Sequence, residues 1–176
     1  MRTGYPIIYL RGYAMNQAGV ETTVDDPFYG FNTGSTHVRV GKEGKPEFFA
    51  FESPVLRLMG DHGYVDAYGA GLQATDPRRR PQVRPPGPRS IWIYRYYDPS
   101  SHTFPGSPRR RLEIEDAADA LREFISQVKA VTSLDEPTER VVLVGHSTGG
   151  LIIRSLLQRS YPLAGEDPAE HVDKVF

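Results

Sequence analysis

The hexapeptide Gly145-His146-Ser147-Thr148-Gly149-Gly150 is the feature that most limits what this chain can fold into. It follows an apolar run, Val141-Val142-Leu143-Val144, and precedes a stretch in which Leu151, Ile152, Ser155, Leu156 and Arg159 recur at helical spacing. A short run rich in β-branched residues reads as a strand buried on both faces. The pattern G-x-S-x-G between such a strand and an amphipathic helix puts a serine on a sharp, strained turn, with its Oγ above the sheet. Gly145 and Gly149 flank it because a Cβ at either position would collide across the turn. Gly150 is expected to let the helix approach the strands closely. Gly-rich strand-to-helix turns also bind phosphate, but here no Lys follows as in a P-loop and G-x-G-x-x-G spacing is absent.

The rest of the chain has the same alternation. Apolar runs at 6–10 and Ile91-Trp92-Ile93-Tyr94 read as further buried strands, and a fourth begins at Lys174-Val175-Phe176. Between the second and third, Ile114, Ala118, Leu121, Ile125 and Val128 mark a helix over about 113–131, with Glu113, Glu115, Asp116 and Asp119 where the macrodipole favours anions. The helix after Ser147 is expected to end at Pro162. Strand and helix in alternation predict an α/β fold with a mostly parallel sheet and right-handed crossovers.

Residues 12–90 are too many for one crossover and predict an inserted cap. In it, His37–Val40, the turn Gly41–Gly44 and Glu47–Phe51 read as a hairpin. Ser53-Pro54 then starts a short helix through Met59. The Pro- and Arg-rich segment 77–89 reads as a mobile polyproline-like loop.

With 176 residues, 39% hydrophobic and 24% charged, the chain reads as a single domain, 1–176, of ordinary globular composition. A net charge of −1 gives no reason to expect nucleic acid as a partner. The absence of cysteine excludes disulfides, thiolate metal sites and a cysteine nucleophile. No apolar run approaches the roughly 18 residues of a transmembrane segment. The N-terminal Met1-Arg2-Thr3-Gly4 lacks signal-peptide character, so the expected location is cytoplasmic.

Leu10-Arg11-Gly12-Tyr13 closes the first strand. Acyl transfer needs two N–H donors aimed at the developing oxyanion. Thr148, after the nucleophile, is one candidate and Tyr13 the other. With these residues the chain resembles the α/β-hydrolase superfamily, in its lipase/esterase branch with the GHSxGG elbow, although Arg11-Gly12 stands where that family often has His-Gly. The resemblance implies that 5–10, 91–97, 140–145 and 174–176 match the third, fourth, fifth and start of the sixth family strands, ordered fourth-third-fifth-sixth. It covers the middle of the family core, so a C-terminally incomplete domain is expected, a fragment that aggregates or dimerises through the sheet edge at Val175-Phe176.

The resemblance also implies the order Ser, then Asp or Glu, then His. After Ser147 the chain has one histidine, His171, with Glu166, Asp167, Glu170 and Asp173, all before the last strand expected at 174–176. The acid and base are therefore unassigned, and the proton is expected to go to a histidine outside this chain. His102, in the loop after the second strand, is a conceivable base, outweighed by a solvated loop histidine. His146 is expected to point away from Oγ. His37 and His62 fall in the cap, and Asp61-His62-Gly63 with Asp66 is too sparse for a metal site. Asp25-Asp26 reads as a turn. Phe48, Phe49, Phe51, Tyr64 and Tyr68 form a cap core or line an acyl pocket. Arg78-Arg79-Arg80, Arg84 and Arg89 read as a solvated loop rather than a phosphate or RNA grip, and Pro85-Pro86-Gly87-Pro88 is an unspecific PxxP match.

The reading is a serine hydrolase of carboxylic esters, of esterase or lipase type with a place in lipid metabolism. Its substrate is a small-molecule or lipid ester, and no cofactor and no metal are implied. The rival reading is a truncated or degenerate, non-catalytic hydrolase-fold protein acting as a binding module.

Overall fold

The computed structural model describes residues 4–12, 16–25, 36–40, 44–50, 54–67, 86–100, 113–133 and 138–176. In chain order its strands are β1 Ile7–Leu10, β2 Thr36–Val40, β3 Pro46–Ala50, β4 Val65–Asp66, β5 Ser90–Ile93, β6 Val141–Gly145 and β7 Val172–Val175. The helices are α1 Gln17–Asp25, α2 Pro54–His62, α3 Ile114–Thr132, α4 Thr148–Ser155 and α5 Tyr161–Ala164. β2 and β3 form a separate antiparallel hairpin, pairing His37 with Phe49. The other strands make one sheet in the order β4-β5-β1-β6-β7, and every pairing in it is parallel.

β1 lies at the centre, with Ile7 opposite Ile91 on one side and Val142 on the other. Its four residues are all buried, which explains the unbroken apolar run: a strand flanked by neighbours and covered on both faces has no solvent side to alternate toward. Ile8, Leu10 and Leu143 share one core cluster with Leu121 and Ile125 of α3, Val20 and Val24 of α1, and Ile152 and Leu156 beyond the serine. Burying each such side chain is worth about 1.5–3 kcal/mol.

The order implied by the resemblance is the order found, with β5, β1, β6 and β7 in the places of the fourth, third, fifth and sixth family strands. The first of these is shorter than expected, because regular pairing stops at Ile93, Tyr94 N–H makes one last bond to the Tyr9 carbonyl (3.0 Å), and Tyr96 and Tyr97 follow in a turn with their side chains buried. β7 starts earlier than expected, at Val172, and pairs with β6 across an irregularity at Val141/Val142. The stretch 12–90 also supplies the edge strand β4, whose Ala67 N–H continues onto the Ile91 carbonyl at 2.9 Å. Two residues give too little alternation to be seen in sequence. Of the Pro/Arg segment, 77–85 lie outside the described residues, while Pro86 is buried and the Arg89 carbonyl accepts from Val65 N–H at 3.0 Å.

Pro162 does not end the helix after Ser147. The α-helix Thr148–Ser155 passes into a π turn at Leu156–Ser160 and resumes as Tyr161–Ala164, with proline in its first turn. A proline inside a helix lacks one N–H and crowds a carbonyl of the preceding turn. The wider π turn just before it relieves that crowding. The stop comes at Gly165, with φ 74°, where Gly165 N–H bonds the Pro162 carbonyl (3.1 Å) and Glu166 N–H the Tyr161 carbonyl (3.0 Å), a Schellman closure.

Candidate active site

β6 ends at Gly145 and α4 begins at Thr148, so Ser147 is the hinge between strand and helix. Its backbone has φ 53° and ψ −119°, and it is the one non-glycine residue with positive φ among the described residues. Such a conformation costs of order 1–3 kcal/mol and persists only where the surroundings enforce it. The side chain is exposed.

The surroundings enforce it by close backbone approach. A Cβ on Gly149 would lie 2.5 Å from the Leu10 carbonyl oxygen, and one on Gly145 would meet Ile153 Cδ1 at 2.7 Å and Gly150 N at 2.9 Å. On the other wall, a Cβ on Gly12 would lie 2.8 Å from Ser147 Cβ and 2.7 Å from His146 Nδ1. Gly12 and Gly149 thus let the serine turn sink against the end of β1, and Gly145 lets the start of α4 fold back over the strand. Gly150 is different. Nothing lies within 4 Å of its Cβ position, so the expectation that it brings the helix close to the strands is corrected: Gly149 does that.

The turn is closed by backbone bonds. His146 N–H bonds the Leu10 carbonyl (3.0 Å), Gly149 N–H the His146 carbonyl (2.9 Å) and Gly150 N–H the Ser147 carbonyl (2.9 Å). Among the described residues no acceptor takes the Thr148 N–H. It is one of the orphan donors of a helix start, beside the serine and at the positive end of the helix dipole. The second proposed donor, Tyr13, lies outside the described residues, and so does His102. The loop leading to Tyr13 is held by two side chains that sequence reading passed over. Tyr96 Oη donates to the Arg11 carbonyl at 2.6 Å, and Tyr97 Oη to the Gly12 carbonyl at 2.9 Å. The signal was the string Tyr94-Arg95-Tyr96-Tyr97 just after a strand expected beside the first one.

No described histidine or carboxylate hydrogen-bonds the serine Oγ. His146 is exposed and lies over Gly12. His171 is at the opposite end of the sheet, where its carbonyl accepts from Val141 N–H at the start of β6. Five residues of strand, at roughly 3.3 Å each, separate it from the serine by about 16 Å. It has its own partners there. Its ring stacks on Tyr161 with centroids 4.8 Å apart, Lys129 Nζ donates to Nδ1 at 3.1 Å, and Nε2 faces Glu166 Oε2 at 3.1 Å. Arg122 Nη1 holds the other Glu166 oxygen at 2.6 Å. Burial, then the Lys129 charge, pulls the His171 pKa below its ordinary value, so the neutral ring accepts from lysine and donates to glutamate.

His62, Asp61 and Asp66 lie on or just after α2, and among the described residues no group of three His, Asp or Glu could hold a metal. Asp25 closes α1, while Asp26 is outside the described residues. Tyr64, half-buried, donates to the Tyr5 carbonyl at 3.1 Å. His37 is placed on β2 and Phe48 and Phe49 on β3 by backbone, and Phe51, Tyr68, Arg78, Arg79, Arg80, Arg84 and Pro85 lie outside the described residues. No helix among the described residues is long and apolar enough to cross a membrane.

A protein-family model described as the alpha/beta hydrolase family matches residues 34–172, well over half of the chain and including the whole elbow. Neither the comparison with curated proteins nor that with solved structures gives a match.

Proposed function

The chain belongs to the α/β-hydrolase family, and from that premise we propose that it is a serine hydrolase of carboxylic esters with Ser147 as nucleophile. The observation that carries the reading is the strained, exposed Ser147 at the strand-to-helix turn, held by glycine contacts on both sides. In the proposed reaction Oγ attacks the ester carbonyl and the developing oxyanion takes the Thr148 N–H, with the Tyr13 N–H as second donor. The alcohol leaves, water attacks the acyl-serine, and the acid is released. A base must accept the serine proton. His102 is the candidate within this chain, and the substrate is a small-molecule or lipid ester.

One observation favours the rival, a non-catalytic hydrolase-fold binding module: no described base reaches Oγ. The two readings part on p-nitrophenyl ester hydrolysis by the purified chain, compared with Ser147→Ala and His102→Ala. Turnover that Ser147→Ala abolishes supports the enzyme. A triad lacking a member retains only about 10³–10⁴ over water, so a rate at that residual that Ser147→Ala leaves unchanged means the binding module.

A further inference from the structure

Tyr96 and Tyr97 follow β5, the strand beside β1, and both reach across to the backbone just past β1. Gly12, whose carbonyl Tyr97 holds, is the residue that packs on Ser147 Cβ. Tyr97 and Gly12 are buried, so this bond is made away from water. The two rings brace each other with centroids 4.3 Å apart. Tyr96 in turn stacks on Tyr94 at 6.0 Å, and Tyr94 is anchored on α3 through Phe124 (5.6 Å) and a hydrogen bond to the Ala117 carbonyl (2.8 Å). A rigid aromatic row therefore runs from the core helix to the wall of the nucleophile turn.

We propose that Tyr97, supported by Tyr96, is a positioning residue for ester hydrolysis: its hydroxyl fixes Gly12, the wall on which Ser147 Cβ packs. The physical link is the wall itself: a Cβ on Gly12 would lie 2.8 Å from Ser147 Cβ, so any shift of Gly12 shifts the surface that holds the serine. A reacting group works only when it is held in its attacking geometry before the reaction begins. Glycine cannot supply that stiffness itself, because it has the widest backbone freedom of any residue. The smallest residue is required by the contact with Ser147, and the tyrosine hydroxyl restores the order lost.

This proposal rests on the hydrolase reading of Ser147, and the test keeps the two apart. Tyr97→Phe removes only the hydroxyl. Thr132→Val is the matched control, since it also deletes a buried hydroxyl-to-carbonyl hydrogen bond, but one to Val128 at the far end of α3 (2.7 Å), outside the aromatic row. With p-nitrophenyl butyrate, Tyr97→Phe is expected to lower kcat at least about tenfold, short of the ~10²–10³ lost with an oxyanion donor itself. KM should stay within about twofold, and Thr132→Val should keep wild-type kcat at equal or lower denaturant midpoint. Wild-type kcat in Tyr97→Phe overturns the proposal. So does an equal fall of kcat in both variants that tracks their stability. If Tyr97→Phe does not fold, Tyr96→Phe takes its place, with a smaller kcat loss expected and an unchanged kcat counting against. A wild type without Ser147-dependent turnover removes the hydrolase reading, and this inference with it, before any tyrosine variant is compared.

Discussion

At the carboxyl end of the parallel sheet Ser147 is exposed, with φ at 53°, wedged by Gly12, Gly145 and Gly149 whose missing side chains leave no slack. At the amino end His171 lies flat on Tyr161, between Lys129 and Glu166, with ordinary backbone geometry. Both residues are of the types a serine hydrolase needs, and both flank β6. The difference shows that residue type and nearness in sequence do not make a site. Strain and one unpaired backbone donor, the Thr148 N–H, sit at the elbow, whereas both ring nitrogens of the histidine are engaged, even though the Tyr161 hydroxyl and Arg122 Nε beside it are buried without a partner.

The sharpest break of this comparison is Gly149→Ala. Its new Cβ would stand 2.5 Å from a backbone oxygen that cannot rotate away. A loss of at least about 3 kcal/mol in a urea melt is expected, although alanine is the better helix former. A cost near zero would mean that the elbow is loosely packed and that the contrast between the ends is false.

Next in size is His171→Ala, which removes a ring stack and two hydrogen bonds among half-exposed groups and should cost about 1 kcal/mol. Any Ser147-dependent hydrolysis should be untouched, measured as kcat/KM on a p-nitrophenyl ester. Loss of activity at full stability would bring the two ends together as one site and overturn the comparison.

The same histidine makes the amino end pH-sensitive. Its folded pKa is lowered from 6.5, so on acidification the unfolded chain takes up the proton first. Its stabilisation is therefore complete above the ordinary histidine range and declines as pH falls below that value. Urea midpoints measured between pH 7.5 and 5.5 should drop more steeply in the wild type than in His171→Gln. Parallel slopes would sink the assignment of a neutral ring.

The smallest effect is of opposite sign. Gly150→Ala, one residue from the most crowded glycine, enters open space within a helix. It should stabilise by up to about 1 kcal/mol. Destabilisation would show that the elbow's crowding extends further than Gly149.

Much of this was legible in the chain. Apolar runs placed β1, β5 and β6 because strands buried on both faces have no polar positions, and the 3.6-residue period placed α3. The elbow was legible because its chemistry is local: strand, turn and helix start are consecutive, and the glycines that permit the turn are its neighbours. Pro162 misled because a π turn is set by how the helix packs and leaves no composition mark. The edge strand β4 escaped because two residues carry no period.

What the sequence determined by itself is therefore the strained serine turn and the α/β alternation, since both depend on contacts between residues close along the chain. The tertiary structure alone decided that Gly12 forms the wall beside Ser147, that Tyr96 and Tyr97 hold that wall, and that His171 is about 16 Å away at the far end of a strand. The Tyr97–Gly12 bond joins residues 85 apart. Such pairings follow from strand order and register, which place β5 beside β1 and β1 beside β6. A hydroxyl's partner, or a histidine's end of the sheet, exists only once those strands are in place.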